Sequence, residues 1–497
     1  MSAYKQLAGQ TAIYGLSSIV GRLLNVLLVP IYTRVFEVGE YGVVTQLYAY
    51  VAFFNILFTY GLGTAFFRFF QSEKGNEKVY STSIISILVS SACLALLIII
   101  FSDSIASLIL SGISSGSYYI KIFAGILATD AITAIPFAKL RQENKAKRFA
   151  FLRLVNIGIY IGLNLFFLVV CPALLKNGSY SWLKNIYDPS IGVGYIFISN
   201  LLASGITMLM LFPEIFKVSL KFDSILWKRM IIYAFPLMIV GFSGMINETF
   251  DRVLIPILIT NKSEAMMQLG IYGACYKLSI ILTLFIQTFN YAAEPFFFNH
   301  ATKENPQRVY AQVMNYFVII CAFIFLGVML YIDIVKHFIG PDYRSGLGVV
   351  PILLMANLCL GVYYNLAIWY KLTTKTRLGA WVAVFGAVVT LIFNFWLIPI
   401  MGYMGAAWAT LICYASMMIL SYYVGQKHYP VAYDVRSFFY YISLALLLWV
   451  LSIYIRHQLV LSDKMILAIN TLLLILFIVI VWTSESRKNT YLRRNNN

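Results

Sequence analysis

Asn247-Glu248-Thr249-Phe250-Asp251-Arg252-Val253-Leu254-Ile255-Pro256 lies inside an apolar run from about Met230 to Ile259. A hydrophobic helix should not contain Glu248, Asp251 and Arg252. At the centre of a bilayer-spanning helix a charge costs about 2.5–3.5 kcal/mol even on the lenient insertion scale. Side chains that stay there are paired, face a wet cavity, or both. The stretch predicts a helix lining a cavity through which something polar crosses a membrane.

The composition around it agrees. The chain is 61% hydrophobic and 11% charged, with mean hydropathy +0.81; a soluble domain is about half apolar and a quarter charged. A chain of 497 residues this apolar is an integral membrane protein. Met1 to Gln10 carries one lysine before the first apolar run, which does not resemble a cleavable leader.

Runs of span length give about fourteen transmembrane helices, and an all-α fold. They fall near 10–32, 43–67, 82–101, 118–136, 150–171, 191–212, 230–259, 268–293, 309–332, 347–370, 378–398, 403–424, 437–455 and 465–482. With the N-terminus inside, the cytoplasmic segments hold 24 of the 37 lysines and arginines and the outer loops 8. That three-to-one excess places both termini in the cytoplasm. The net charge of +17 is then mostly a topology signal, and nucleic-acid binding is not needed to explain it.

The chain also matches itself. A shift of 230 residues places Arg22 on Arg252, Val79-Tyr80 on Val309-Tyr310, Asp103 on Asp333 and Asn164 on Asn394. It also places Arg141, Lys145 and Lys147 on Lys371, Lys375 and Arg377; a shift of 231 places Tyr41-Gly42 on Tyr272-Gly273. Each repeat has six spans, an even number, so both halves insert the same way. Two six-helix lobes related by a pseudo-two-fold axis along the membrane normal follow, with a site between them. The expected domains are 1–229, 230–430, and an appended helix pair with a basic tail over 431–497.

Arg22 in the first span, Asp130 in the fourth, Glu248, Asp251 and Arg252 in the seventh and Lys277 in the eighth are six charges within apolar runs. Facing lipid singly they would cost on the order of 15–20 kcal/mol together, so the bundle interior is their place. Ser18, Arg22 and Asn25 share one helical face. One reading is structural: three acids balance three bases, Glu248 with Arg252 at i,i+4 and Asp251 with Lys277 across helices. The other is functional: Arg22, Arg252 and Lys277 face an anionic group, while Asp130, Glu248 and Asp251 hold a coupling cation or position the bases. The planar fork of arginine suits phosphate. Arg68, at the inner end of its span, either snorkels or touches cargo at the inner mouth, and Arg153 is read in the same way. Pro30, Pro236 and Pro256 interrupt helical runs, as hinges or as static kinks. Phe222 to Trp227 with Lys228-Arg229 suits the headgroup layer.

Other chemistry is unsupported. Six scattered cysteines (93, 171, 275, 321, 359, 413) behave as small hydrophobes, and four isolated histidines imply no metal site. Gly-Lys never occurs, so there is no phosphate-binding P-loop and ATP is not the direct fuel. The longest outer loop is about 19 residues, too little for the folded catalytic loop of a membrane glycosyltransferase; an enzyme is not expected.

Several motifs in order resemble a known family. They are Gly15-Leu-Ser-Ser-Ile-Val-Gly-Arg22, the Gly39-Glu-Tyr-Gly42 turn into span 2, Phe250-Asp-Arg252, and Tyr272-Gly-Ala-Cys-Tyr-Lys277-Leu-Ser. Ala293-Glu-Pro-Phe296 and Gly402-Tyr-Met-Gly405-Ala-Ala complete the set. Together they resemble the polysaccharide-exporter branch, which includes O-antigen-type oligosaccharide flippases, of the multidrug/oligosaccharidyl-lipid/polysaccharide (MOP, MATE-like) superfamily. The resemblance implies two six-helix lobes forming a V plus two helices, in a bacterial inner membrane. The implied cargo is an undecaprenyl-pyrophosphate-linked oligosaccharide flipped from the inner to the outer leaflet by alternating access. Arg22, Arg252 and Lys277 match the family's cavity cations, with Asn25 and Arg68 as further candidate contacts. No cofactor is implied beyond a coupling Na+ or H+; the partners are the lipid-linked cargo, membrane lipids and polysaccharide assembly proteins. The alternative is a cation-coupled multidrug or metabolite antiporter on the same fold, with Asp130, Glu248 or Asp251 as the coupling carboxylate.

Overall fold

Hydrocarbon offers backbone amides no water, so a spanning chain satisfies them within helices. The computed structural model describes residues 19–494 apart from 74–76, 111, 177–185, 217–220, 302–304, 374 and 460–461, and contains helices and turns but no strand among them. Ser18 and the opening of the Gly15 motif lie outside the described residues.

Two contact units emerge, Met1–Gly273 with Asn394–Tyr403, and Ala274–Phe393 with Met404–Asn497. In the first, a helix over 19–26 is followed by α1 (Val29–Val35), α2 (Val38–Thr59), α3 (Leu62–Ser72), α4 (Glu77–Ile100) and α5 (Gly116–Gln142). Next come α6 (Ala146–Leu165), α7 (Gly194–Met210) and α8 (Ser224–Leu258), and α9 (Lys262–Leu278) begins there. The second unit holds α10 (Ile280–His300), α11 (Pro306–Leu330), α12 (Val349–Leu366), most of α13 (Thr376–Met401) and α14 (Tyr403–His428), α15 (Val435–Gln458) and α16 (Asp463–Arg494).

Among the described residues, eleven helices are long and apolar enough to cross a membrane, or up to twelve if α9 and α10, bent by 49°, form one span. This is fewer than the fourteen expected. α7 has 17 residues, short of the roughly 20 that a straight span takes, and the run over 10–32 lies partly outside the described residues.

Proline position alone does not decide where helices break. Pro30 opens α1 after a turn at Leu27-Leu28, so the first run is interrupted there. Pro236 and Pro256 stay inside the continuous 35-residue α8. A break that composition hides lies between α2 and α3, where Tyr60 (φ 34°) and Gly61 (φ 71°) are left-handed. A Cβ on Gly61 would stand 3.0 Å from the Ala234 carbonyl of α8, so both the backbone conformation and the space favour glycine. The expected interfacial segment is already helical, with Asp223 capping α8 through Leu226 N at 3.0 Å. Gly39 to Gly42 belong to the first turns of α2, where Glu37 and Glu40 form a capping box.

The first unit's main core joins α2, α3, α4, α5 and α8 around Phe58, Phe66, Tyr80, Ile135 and Met230. In the second, α12, α13 and α14 meet around Cys359, Val382 and Cys413. Some positions matched by the internal repeat share their burial: Tyr41 and Tyr272, Tyr80 and Tyr310, Asn164 and Asn394 are all buried. The appended helices are tied to α11 by polar bonds. Arg456 pairs with Asp333 and donates to Leu330 O at 3.1 Å. Asn470 reaches the same carbonyl at 2.6 Å.

The tightest approach is between α2 and α9. A Cβ on Gly42 would lie 2.1 Å from Met266 O, and one on Gly270 would lie 2.0 Å from Val38 O. The two backbones therefore touch, as small residues permit in membrane helices. Gly42→Ala is expected to cost about 1–3 kcal/mol, as overpacking does. Gly158→Ala, with open space around its Cβ, should be neutral or stabilising by up to about 1 kcal/mol. Thermal unfolding of the detergent-solubilised variants checks this; equal melting of both with the parent protein would contradict the close crossing.

Candidate functional site

The charged stretch of α8 lies where α2, α8 and α9 converge. Phe250 meets Phe53 of α2 edge-on at 5.3 Å. The next residue, Asp251, is buried. Its carboxylate accepts from the Tyr272 hydroxyl of α9 at 2.5 Å and from the Arg252 backbone N–H at 2.8 Å. Arg252 is half-buried and interacts electrostatically with Tyr41 of α2. The two tyrosines that the internal repeat equates thus both bear on Asp251-Arg252, Tyr272 by its hydrogen bond to Asp251 and Tyr41 through the charge of Arg252. Gly42, next to Tyr41, and Gly270, two residues before Tyr272, make the backbone crossing that brings α2 and α9 together.

The other predicted residues are distributed along the chain. Gly21 turns toward α6, where its Cβ would meet Ile157 at 2.6 Å, and Arg22 and Asn25 are exposed. Glu248 is also exposed, one turn before Arg252. Lys277 is half-buried on α9, two residues before the break at Ser279. Arg68 lies elsewhere: its guanidinium carbon sits 4.2 Å from the centre of the Tyr233 ring. Tyr233 precedes Arg252 by nineteen residues on the same helix, about 28 Å along the axis. The structure therefore does not bring Arg68 to the Asp251-Arg252 junction. A neighbouring contact of the same kind sets Arg229 over Phe69 at 5.4 Å.

Asp130 on α5 belongs to a separate polar cluster inside the first unit. It accepts from Ser204 of α7 at 2.7 Å. One turn away on α7, Asn200 donates to the Tyr48 hydroxyl at 3.1 Å. Tyr48 is 3.4 Å from Tyr160, Tyr160 is 3.1 Å from Tyr32, and Tyr32 donates to Asn164 at 2.9 Å. Asp130 and Arg153 attract each other electrostatically, and Arg153 stands 4.2 Å over the Phe137 ring. Sequence reasoning named Asp130 but missed the tyrosines and asparagines around it. The available signal was the stripe Asn156, Tyr160, Asn164 on α6 facing Asn200, Ser204, Thr207 on α7, spaced by three or four residues. Among the described residues no group of three His, Cys, Asp or Glu side chains is placed to hold a metal.

The comparisons with known proteins bear on the same helices. Among solved structures, one described as "Lipid II flippase MurJ, inward closed conformation" superposes with a TM-score of 0.70 at 14% identity, over 94% of this chain and 98% of that one. An inward-facing multidrug resistance MATE family transporter of the MOP superfamily gives 0.62 at 14% identity, over 82% and 94%. An outward-facing one gives 0.59 at 14% identity, over 85% and 95%. At such identity the likeness is one of fold. No curated protein sequence matches the chain significantly. A family model described as "Polysaccharide biosynthesis protein" matches residues 7–301, which include α2, α8 and α9. With more than half of its residues matched, this multi-pass helical membrane protein belongs to the polysaccharide biosynthesis protein family, and its fold is that of the MOP superfamily.

Proposed function

We propose that the chain is a flippase. It moves an undecaprenyl-pyrophosphate-linked oligosaccharide repeat unit from the inner to the outer leaflet of a bacterial inner membrane, by alternating access, for O-antigen-type surface polysaccharide biosynthesis. The observation that carries this reading is the family match over residues 7–301. The buried Asp251-Arg252 junction supports it. In this reading both termini are cytoplasmic, and lobes 1–229 and 230–430 move against each other while 431–497 forms the appended pair. No covalent bond is broken, and the only cofactor is a coupling Na+ or H+. Arg22, Arg252 and Lys277, with Asn25 beside Arg22, meet the pyrophosphate or acidic sugars. Asp251 and Glu248 position the bases, and Arg68 serves the inner mouth at the other end of α8. The partners are the lipid-linked cargo, surrounding membrane lipids and the polysaccharide assembly proteins.

A hydrogen bond to a charged group is worth about 1.5–3 kcal/mol, so losing one arginine contact should weaken cargo handling about tenfold or more. Arg22→Ala and Arg252→Ala are expected to reduce surface polysaccharide at unchanged protein level. Arg252→Lys, which keeps the charge but not the fork, should recover part of it. Normal polymer in both alanine variants would remove these residues from the cargo path.

The second reading, a cation-coupled multidrug or metabolite antiporter, draws on the Asp130–Ser204 bond and the hydroxyl chain beside it. A carboxylate that accepts from a neutral hydroxyl suits proton or Na+ exchange. Dye efflux from loaded vesicles driven by a proton or sodium gradient, and abolished by Asp130→Asn, would favour it. Under the flippase reading Asp130→Asn instead removes the gradient dependence of polymer export, and no gradient-driven dye efflux is seen.

A further inference from the structure

Two adjoining cavities in the second unit differ sharply in character. One, of about 320 Å³, lies among α11, α12, α14 and α15 and is lined by Met314, Val318, Leu366, Met418 and Phe438. The other, of about 630 Å³, is lined by Arg308, Gln312, Asn315, Asp434, Glu485 and Lys488. They share Ala311, Asn315 and Asp434, so one continues into the other. Volumes of this order hold a small ligand or part of a larger one.

The polar cavity sits where helices end. Arg308 and Gln312 belong to the first two turns of α11, Asp434 caps α15, and Glu485 and Lys488 lie late in α16. From there the apolar cavity follows α11 inward: Val318 lies seven residues beyond Ala311, about 10 Å along the axis. A polar mouth at helix-end depth over an apolar slot matches the cross-section of one bilayer leaflet.

In the depth of the mouth carboxylates outnumber ammonium groups. Lys488 is shared between two carboxylates, Asp434 at 3.0 Å and Glu485 at 3.4 Å. Glu485 also accepts from Asn315 at 3.1 Å and from Tyr441 at 2.5 Å. Burial pushes the Asp434 carboxyl up, but the hydrogen bonds from Ser437 and the Lys488 ammonium outweigh it and bring it down to about 2, so it is ionised at neutral pH. Two carboxylates against one ammonium leave a net negative charge with room for a second cationic donor. Arg308 is exposed at the rim and enters no ion pair among the described residues, which leaves it available to an anion. We propose that this double cavity is a binding site for one zwitterionic aminophospholipid of the surrounding leaflet. Its ammonium meets Asp434 and Glu485, its phosphate meets Arg308, and one acyl chain lies along Met314, Val318 and Met418. The site would tie α11 and α14 to the appended α15 and α16 through a resident lipid. The proposal holds whichever cargo the chain carries.

The full chain, purified in mild neutral detergent, is examined for retained lipid by native mass spectrometry, with phosphatidylethanolamine, phosphatidylglycerol and a polyprenyl phosphate as added probes. The expected result is retention of one phosphatidylethanolamine, favoured over phosphatidylglycerol about fivefold or more, equivalent to about 1 kcal/mol. Arg308→Gln, which empties the rim of its cation, and Ile419→Trp, which fills the apolar slot from an exposed position, should each lower retention by a similar factor while leaving the melting temperature of lipid-stripped protein unchanged. Equal retention of both phospholipids, or retention unaffected by both variants, would overturn the proposal. Displacement of phosphatidylethanolamine by lower concentrations of polyprenyl phosphate would overturn it too, by giving the slot to the chain of a polyprenyl-linked molecule.

Discussion

A carboxylate in the middle of an apolar helix needs a partner supplied by the protein, and in α8 Tyr272 supplies it to Asp251. Much of the first unit's arrangement around α8 follows from this bond. For the α9 hydroxyl to reach α8, α9 must run beside it. The charge of Arg252 also reaches Tyr41 of α2, and α2 crosses α9 at backbone contact. Three helices can meet so tightly only if some side chains are absent from the crossing, and Gly42 and Gly270 are the positions where they are absent. The electrostatic requirement and the glycine crossing are therefore one constraint seen from two sides.

The same rule orders the rest of the first unit. Polar groups in its interior are gathered and chained: Asp130 to Ser204, Asn200 to Tyr48, and on through Tyr160 and Tyr32 to Asn164. Each member satisfies another, and the low dielectric that makes a lone polar group costly strengthens a connected one. Away from such groups the cores are apolar and the external faces carry large hydrophobics such as Leu97, Ile232 and Phe395. This is the pattern of a protein whose outer solvent is lipid.

Much of this was legible in the sequence, for reasons that can be located. Charges inside apolar runs mark themselves, so Asp130, Asp251 and Arg252 were visible. The internal repeat was visible because identical constraints at Tyr41 and Tyr272, or Asn164 and Asn394, select identical residues. What stayed hidden was set by neighbours in space. Tyr48 and Tyr160 count as aromatic in composition, so a chain of their hydroxyls leaves little trace. Pro30 breaks a helix while Pro236 and Pro256 do not, and proline chemistry is the same at all three. The break at Tyr60-Gly61 coincides with the passage of α8 at Ala234, which hydropathy does not register. Arg68 has the chemistry of a cavity arginine, but the helix that carries it places it over Tyr233.

Residue type therefore reports the cost of a group in the membrane, and tertiary contact decides how that cost is met. Arg252 and Arg68 are both arginines on largely apolar helices, yet Arg252 is half-buried while Arg68 is exposed over Tyr233. An exposed guanidinium on an aromatic face keeps its charge solvated and needs no cargo to explain it.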